Sequence, residues 1–240
     1  MKHKLVILLV FILFALGGTA LADTVLTLTG AGGPTGNNLG GAYVAPYTGT
    51  LSPGVAPLGA GTLTLICDDF THDVSLQQQW PVAVTQFSTS SGALINTRFG
   101  NGGYPLITNG VVLYEEMFYL VNKMSFPASP SPATLTQNAD LNWAIWALSY
   151  QAETGTALSL SGLPASDQSA VNSDILSATN PLNYGSENYS NFYIITPTCT
   201  PREPCEAGTG QEYITKIPEP ASLAIWAAGL SALLFRRKRF

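Results

Sequence analysis

The chain has 240 residues, of which only 10% are charged, and its formal net charge is −5. Between residues 23 and 217 the balance is more acidic, with four Lys and Arg against 14 Asp and Glu. This acidity argues against a nucleic-acid partner and against an anionic membrane surface. The length between those residues is enough for one domain with a sizeable core.

The first 22 residues have the three parts of a secretory signal peptide. Lys2 and Lys4 form a basic start, residues 5–16 form an apolar run, and Ala20-Leu21-Ala22 is a small-x-small cleavage site. We therefore predict export through the Sec translocon, with cleavage after Ala22.

The first part of the exported region predicts strands. Residues 24–29 (TVLTLT) alternate small polar and apolar residues, and residues 61–70 and 80–90 are rich in β-branched and aromatic residues. The glycine-rich stretch 30–41 is followed by the strand-like segment 42–51 rather than by a helix. We therefore interpret it as a loop and not as a phosphate-binding motif.

The middle of the chain predicts three helices. Residues 111–124 and 136–151 carry apolar residues at helical spacing, and we interpret the proline-rich stretch between them as a linker that includes Pro132. A shorter helix fits residues 166–178, with Ser166 as its N-cap.

Strand character returns at residues 191–198 and 211–217. Strands, then helices, then strands predict an α+β domain with a β-rich, sandwich-like sheet and about three helices. We expect a single exported domain over residues 23–216, preceded by the signal peptide 1–22.

The three cysteines leave two pairings open. Cys199 and Cys205 bracket the stiff loop TPREP, which a disulfide could close, and Cys67 would then be unpaired. The rival pairing joins Cys67 to one of the two late cysteines. Exported chains favour disulfides in either case.

The stretch CDDFTHD, residues 67–73, is the densest group of potential metal ligands. Asp68, Asp69 and Asp73 are weak candidates for a cation, but their spacing matches neither an EF-hand loop nor a zinc-binding helix. We predict no metal and no cofactor, and interpret these residues as solvated or turn-forming carboxylates.

The C-terminal segment 217–240 has three parts in order. Pro218, Glu219 and Pro220 come first, the apolar run 221–235 follows, and a basic end closes the chain. The run is about 22 Å long as a helix, which is short for a hydrocarbon core of about 30 Å. The basic end consists of Arg236, Arg237, Lys238 and Arg239.

This order resembles the PEP-CTERM sorting signal of Gram-negative bacteria. The resemblance implies recognition of Pro218-Glu219-Pro220 by an exosortase, transient membrane insertion of residues 221–235, and delivery from the inner membrane to the cell envelope, surface or extracellular matrix. An ordinary single-span membrane anchor is the alternative interpretation of the tail.

The combination of ICDD, residues 66–69, with NWAIW, residues 142–146, resembles the thioester domains of bacterial surface adhesins. In that family a cysteine bonds to a glutamine two residues before Ala-Ile-Trp. The corresponding positions here are Cys67 and Asn142, so the resemblance implies a related core fold, and a cysteine–glutamine thioester is not available at that position. The alternative role for Asn142 is to bridge buried backbone groups.

These observations predict a non-enzymatic envelope or matrix protein, with polysaccharide as a potential partner. A surface adhesin with a thioester-domain-like fold is the second hypothesis. A secreted hydrolase is the third, since His72 is the one histidine after the signal peptide and Glu115 and Glu116 are adjacent carboxylates.

Overall fold

The computed structural model describes residues 23–33, 37–90, 92–100, 109–198 and 210–217. Six strands form one closed antiparallel barrel, in the order β1-β4-β5-β8-β7-β6, and β2 pairs with β3 in a separate two-stranded sheet. The strands are β1 Val25–Gly30, β2 Asn38–Leu39, β3 Ala42–Tyr43, β4 Tyr47–Ser52, β5 Thr62–Cys67, β6 Gln79–Gln86, β7 Phe192–Pro197 and β8 Tyr213–Lys216.

The described residues between β6 and β7 contain four helices. They are α1 Gly110–Lys123, α2 Pro132–Thr154, α3 Ala165–Ala178 and the single-turn α4 Pro181–Tyr184. The predicted α+β class with three substantial helices in the middle is therefore confirmed. The sandwich-like sheet takes the form of a closed barrel, because β6 pairs with β1 as well as with β7 and leaves no open edge.

The barrel core follows from alternation along the strands. In β1, Leu26 and Leu28 are buried while their neighbours are at least partly exposed, and β4 buries Tyr47, Gly49 and Leu51 in the same way. Side chains of a strand point alternately to opposite faces, so one face of each strand fills the interior.

The helix boundaries differ from the predictions at two starts. Pro132 is not in a linker but occupies the first turn of α2, where its missing N–H costs no hydrogen bond, and Ser131 caps that helix by accepting from Thr134 N. Ser166 is not the N-cap of α3, because the helix already begins at Ala165 after Pro164.

The helix α2 forms the centre of the helical layer. Every residue from Asn138 to Ser149 is buried, and α2 contacts α1, α3 and β5. The helix α1 packs its Phe118 against Phe192 of β7, with ring centroids 4.5 Å apart. The helices therefore cover the barrel on the side of β5 and β7. The residues at the end of β5 consequently lie next to the helical layer.

Candidate functional site

The end of β5 and the approach to β8 meet at one end of the barrel. The two strands are antiparallel, with Ile66 opposite Ile214 and Cys67 opposite Tyr213. Residues that follow Cys67 therefore lie beside residues that precede Tyr213. We call this group the β5–β8 cluster; it consists of Cys67, Asp68, Asp69, Gln211 and Glu212, all of them buried.

Cys67 carries a free thiol in the core of this cluster. Its Sγ donates to the backbone oxygen of Asp69 at 3.1 Å. Burial, and then the nearby carboxylates of Asp69 and Asp68, raise the pKa of the thiol well above its usual value, while the Asp69 hydrogen bond and the indole of Trp146 act in the opposite direction. The thiol is therefore neutral and shielded from solvent.

Gln211 places a carboxamide beside that thiol. Its Nε2 donates to the same Asp69 oxygen at 3.3 Å and to the backbone oxygen of His72, and its Oε1 accepts from the Tyr213 hydroxyl at 2.9 Å. The thiol and the carboxamide thus converge on one carbonyl group. Sequence analysis missed Gln211, because nothing in its predicted strand indicates that this strand pairs with β5.

The turn before Gln211 requires glycine. Gly210 has φ 89°, and a Cβ there would lie 2.6 Å from Cδ1 of Trp80. A left-handed backbone conformation is costly for other residues. This glycine is the sequence signal that could have indicated a constrained position directly before Gln211.

Asn142 adopts the structural role that sequence analysis held as the alternative. Its Oδ1 accepts from the Ala45 backbone N–H at 2.7 Å, and its Nδ2 donates to the Cys67 backbone oxygen at 2.9 Å. Both ends of its amide are therefore committed to backbone groups. Asn142 lies beside Cys67, as the family resemblance implied, but it links β5 to the segment before β4 and does not face the thiol through a free carbonyl.

Asp69 accepts hydrogen bonds from Arg98 and Thr71. Arg98 Nη1 lies 2.7 Å from its Oδ2, and both the backbone N and the Oγ1 of Thr71 lie 3.1 Å from its Oδ1. His72 Nδ1 also lies 3.0 Å from Oδ1 and 2.6 Å from Arg98 Nη1. A buried carboxylate needs such compensation for lost hydration. Asp69 therefore holds the loop after β5 in place and leaves little free coordination for a cation.

Asp68 and Glu212 form a second carboxyl pair, both fully buried. Glu212 accepts from the Tyr114 hydroxyl at 2.6 Å, the Thr196 hydroxyl at 2.5 Å and the Arg98 backbone N–H at 2.9 Å. Asp68 is opposite Glu212 in the continuation of the β5–β8 pairing. Burial is the main cause that raises the pKa of both groups, and the nearby Glu212 carboxyl raises the pKa of Asp68 further.

The metal candidates do not converge. Asp73 is exposed, whereas Asp68 and Asp69 are buried and face different partners. Across the described ranges, no group of three or more His, Cys, Asp or Glu side chains has an arrangement that could hold a metal ion.

Among the described residues, His72 does not form the relay that the hydrolase hypothesis requires. The Thr71 hydroxyl, Asp69 and Arg98 all contact the same ring nitrogen of His72, Nδ1. A hydroxyl–histidine–carboxylate relay needs the two partners on opposite ring nitrogens. Glu115 and Glu116 are half-buried on α1, and burial followed by the neighbouring Glu115 raises the pKa of Glu116 to about 7.

A separate groove of about 400 Å³ lies between the barrel wall and the segment that joins α1 to α2. Thr48 and Thr64 line it from the barrel, and Phe126 and Pro127 line it from the α1–α2 segment. The ring of Phe126 is exposed. The volume of the groove is in the range of small-molecule binding sites.

Several predicted positions lie outside the described residues. These are the signal-peptide cleavage at Ala22, the late cysteines Cys199 and Cys205, the motif Pro218, Glu219 and Pro220, the run 221–235, and the basic end Arg236, Arg237, Lys238 and Arg239. Among the helices that the structure describes, none has the length and apolar character needed to cross a membrane.

Comparison with known proteins adds a structural likeness only. No protein-family model matches the chain, and no curated protein matches it. The fold is similar to the N-terminal thioester domain of the fibronectin-binding protein SfbI from Streptococcus pyogenes, at 10% sequence identity and a TM-score of 0.43, covering 82% of this chain and 94% of that chain. At this level of similarity the likeness concerns the fold alone.

Proposed function

We propose that this chain is an exported, non-enzymatic bacterial surface protein whose domain attaches covalently to a target through a thioester between Cys67 and Gln211. The observation that carries the proposal is the shared Asp69 oxygen, which lies 3.1 Å from the thiol and 3.3 Å from the carboxamide nitrogen. This convergence supplies the Cys–Gln pair that Asn142 does not.

The bond-forming step balances within the two side chains. The Cys67 sulfur adds to the Gln211 Cδ, the C–N bond breaks, and the thiol proton leaves with the nitrogen as ammonia, so the chain loses about 17 Da. A primary amine of the target then attacks the same carbonyl. An amide with the target forms and the Cys67 thiol is regenerated. Burial of both residues supports the proposal, because it excludes the water that would hydrolyse the bond.

Export and sorting complete the proposed function. The described barrel fits between the two predicted signals: β1 starts at Val25, three residues after Ala22, and β8 ends at Lys216, two residues before Pro218. We infer that the Sec translocon exports the chain and that an exosortase-type enzyme processes it at Pro218-Glu219-Pro220. The run 221–235 would hold the precursor at the inner membrane until that step.

The intact mass of the protein recovered from its native host tests both the thioester and the processing of the tail. A mass that ends near residues 218–220 and falls about 17 Da below the sequence value is expected, and the deficit should disappear after treatment with methylamine. A chain that retains residues 221–240 would contradict the sorting assignment. A full sequence mass for the mature domain would contradict the thioester.

Polysaccharide is the matrix partner that we propose for the groove beside Phe126. An exposed aromatic ring in a groove that Thr48 and Thr64 also line offers a stacking face and polar neighbours. Phe126→Ala should weaken binding to the host exopolysaccharide several-fold, whereas Leu182→Ala, which removes an exposed side chain on α4, should not. Equal binding by both variants would exclude the groove as the polysaccharide-binding site.

A further inference from the structure

Each residue of the Cys67–Gln211 pair is followed in the sequence by one member of the buried carboxyl pair. Asp68 follows Cys67 and Glu212 follows Gln211. The pairing of Cys67 with Tyr213 places Asp68 opposite Glu212 as the next pair along the two strands, and neither side chain has exposed surface. Two ionised carboxylates cannot occupy such a position together, because repulsion adds to the cost of burying each charge.

The donors around the pair are distributed unequally. Glu212 accepts hydrogen bonds from Tyr114, Thr196 and the backbone of Arg98. The two Asp68 oxygens have no conventional donor among the residues that the structure describes. A carboxylate that accepts three hydrogen bonds is favoured in its ionised form, and one without donors is favoured in its protonated form.

Among the described residues, one guanidinium faces three buried carboxyls. Arg98 lies 2.7 Å from Asp69, and its charge lowers the pKa of both Asp68 and Glu212, so it compensates the three carboxyls only in part. His72 contacts the Asp69 carboxylate. The remaining groups are the buried thiol of Cys67 and the buried hydroxyls of Tyr114 and Tyr213, which are neutral at physiological pH. Glu212 is thus the ionised member of the pair, and Asp68 is the protonated member.

We propose that Asp68 and Glu212 share a single proton, carried by Asp68 and donated to Glu212, and that this hydrogen bond positions Cys67 beside Gln211. The positioning role rests on the proposed function, whereas the shared proton does not. The bond joins the end of β5 to the approach to β8 next to the two reacting side chains. Loss of the proton would separate the two carboxylates and the pair that they flank.

The shared proton predicts a specific pH dependence of unfolding. An unfolded aspartate releases its proton at a pKa of about 3.9. Above that pH the native protein holds one proton more than the unfolded chain, so its stability falls as pH rises, until the native carboxyl itself ionises. One such proton changes the unfolding equilibrium constant by about tenfold per pH unit.

Denaturant unfolding of the wild type and of Asp68→Asn between pH 5 and pH 8 tests this slope. The ratio of the two unfolding constants should change by up to about tenfold per pH unit, because asparagine keeps a donor to Glu212 and cannot ionise. Asp69→Asn is the matched control: it removes a carboxylate held by Arg98 and His72, so it should destabilise the protein while the slope remains. A slope that survives in Asp68→Asn overturns the shared proton.

A measurement on the unmodified side chain covers the case in which Asp68→Asn does not fold. The 13C shift of the Asp68 carboxyl in the wild-type protein should be that of a protonated acid at pH 7. An ionised shift overturns the proposal.

The positioning role has its own readout. The fraction of chains with the thioester mass deficit should be retained in Asp68→Asn and fall several-fold in Asp68→Ala. Equal fractions in both variants overturn it. If the wild type shows no deficit at all, the covalent function and the positioning role fail, while the unfolding slope still decides the shared proton.

Discussion

Cys67 and Gln211 donate hydrogen bonds to the same acceptor, the backbone oxygen of Asp69, although 142 residues separate Gln211 from Asp69. The antiparallel pairing of β5 with β8 creates this meeting. The loop after β5 then stays in place because Asp69 is tied to Arg98, His72 and Thr71. The thiol and the carboxamide are therefore held by backbone pairing and by a partly buried ion pair.

Gln211→Glu should abolish the mass deficit of about 17 Da, because a carboxylate is not attacked by a thiol and has no ammonia to release. The variant keeps the shape of the side chain. Intact mass spectrometry of the purified domain provides the measurement.

Gln151→Glu makes the same chemical change at an exposed position near the end of α2. It should leave the deficit unchanged. A deficit that persists in Gln211→Glu and is lost in Asn142→Ala would assign the bond to Asn142 instead.

Asn142→Ala should lower the free energy of unfolding by about 2–4 kcal/mol, because the Ala45 N–H and the Cys67 C=O would both be buried without partners. Denaturant unfolding at neutral pH measures the loss.

Asn138→Ala is the matched comparison, one turn earlier on the same helix. Asn138 also bridges two backbone groups, but both belong to the exposed Ser125, where water can replace the amide. We expect a loss of about 1 kcal/mol. Equal losses in the two variants would mean that burial of the bridged backbone groups does not make Asn142 more important for stability than Asn138.

Asp140→Asn should stabilise the protein above pH 6. Burial, followed by the carboxylates of Asp167 and Asp174, raises the pKa of Asp140 to about 6. The native protein therefore loses stability as pH rises from about 4 to 6, and the asparagine variant does not undergo this loss. The gain should be about 1–2 kcal/mol above pH 6 and vanish near pH 4.

Thermal unfolding of Asp140→Asn across that pH range gives the measurement. Asp73→Asn, at an exposed position, provides the control and should follow the wild-type curve. A gain in Asp140→Asn that is the same at pH 4 and pH 7 would argue for repacking rather than for removal of the charge.

Glu219→Ala should leave the tail attached in a host that has an exosortase, because the variant removes the charged residue of the proposed recognition motif. Immunoblotting of membrane and matrix fractions with a tag placed after Phe240 measures retention. Ser222→Ala, just outside the motif, should mature normally. Normal maturation of Glu219→Ala would exclude Pro218-Glu219-Pro220 as the recognition motif.

Local patterning determined the elements of this fold. Alternation in residues 24–29 and helical spacing in 111–124 predicted β1 and α1 almost to the residue, since burial of one face produces both patterns. The starts of α2 and α3 were less accessible. At the start of α2, the sequence Ser131-Pro132 is as typical of a linker as of a capped first turn. At the start of α3, Pro164 precedes the helix without a side-chain cap that the sequence could indicate.

The sequence by itself determined the α+β class, the order of strands and helices, and the two terminal signals as predictions, because each rests on residues that are neighbours along the chain. Only the tertiary structure decided that the sheet closes into a barrel, that Asn142 bridges backbone groups, and that Gln211 and Glu212 lie beside Cys67 and Asp68. These relationships depend on which strands pair across more than a hundred residues. Strand pairing is decided by the packing of the whole core, so no pattern of neighbouring residues predicts it.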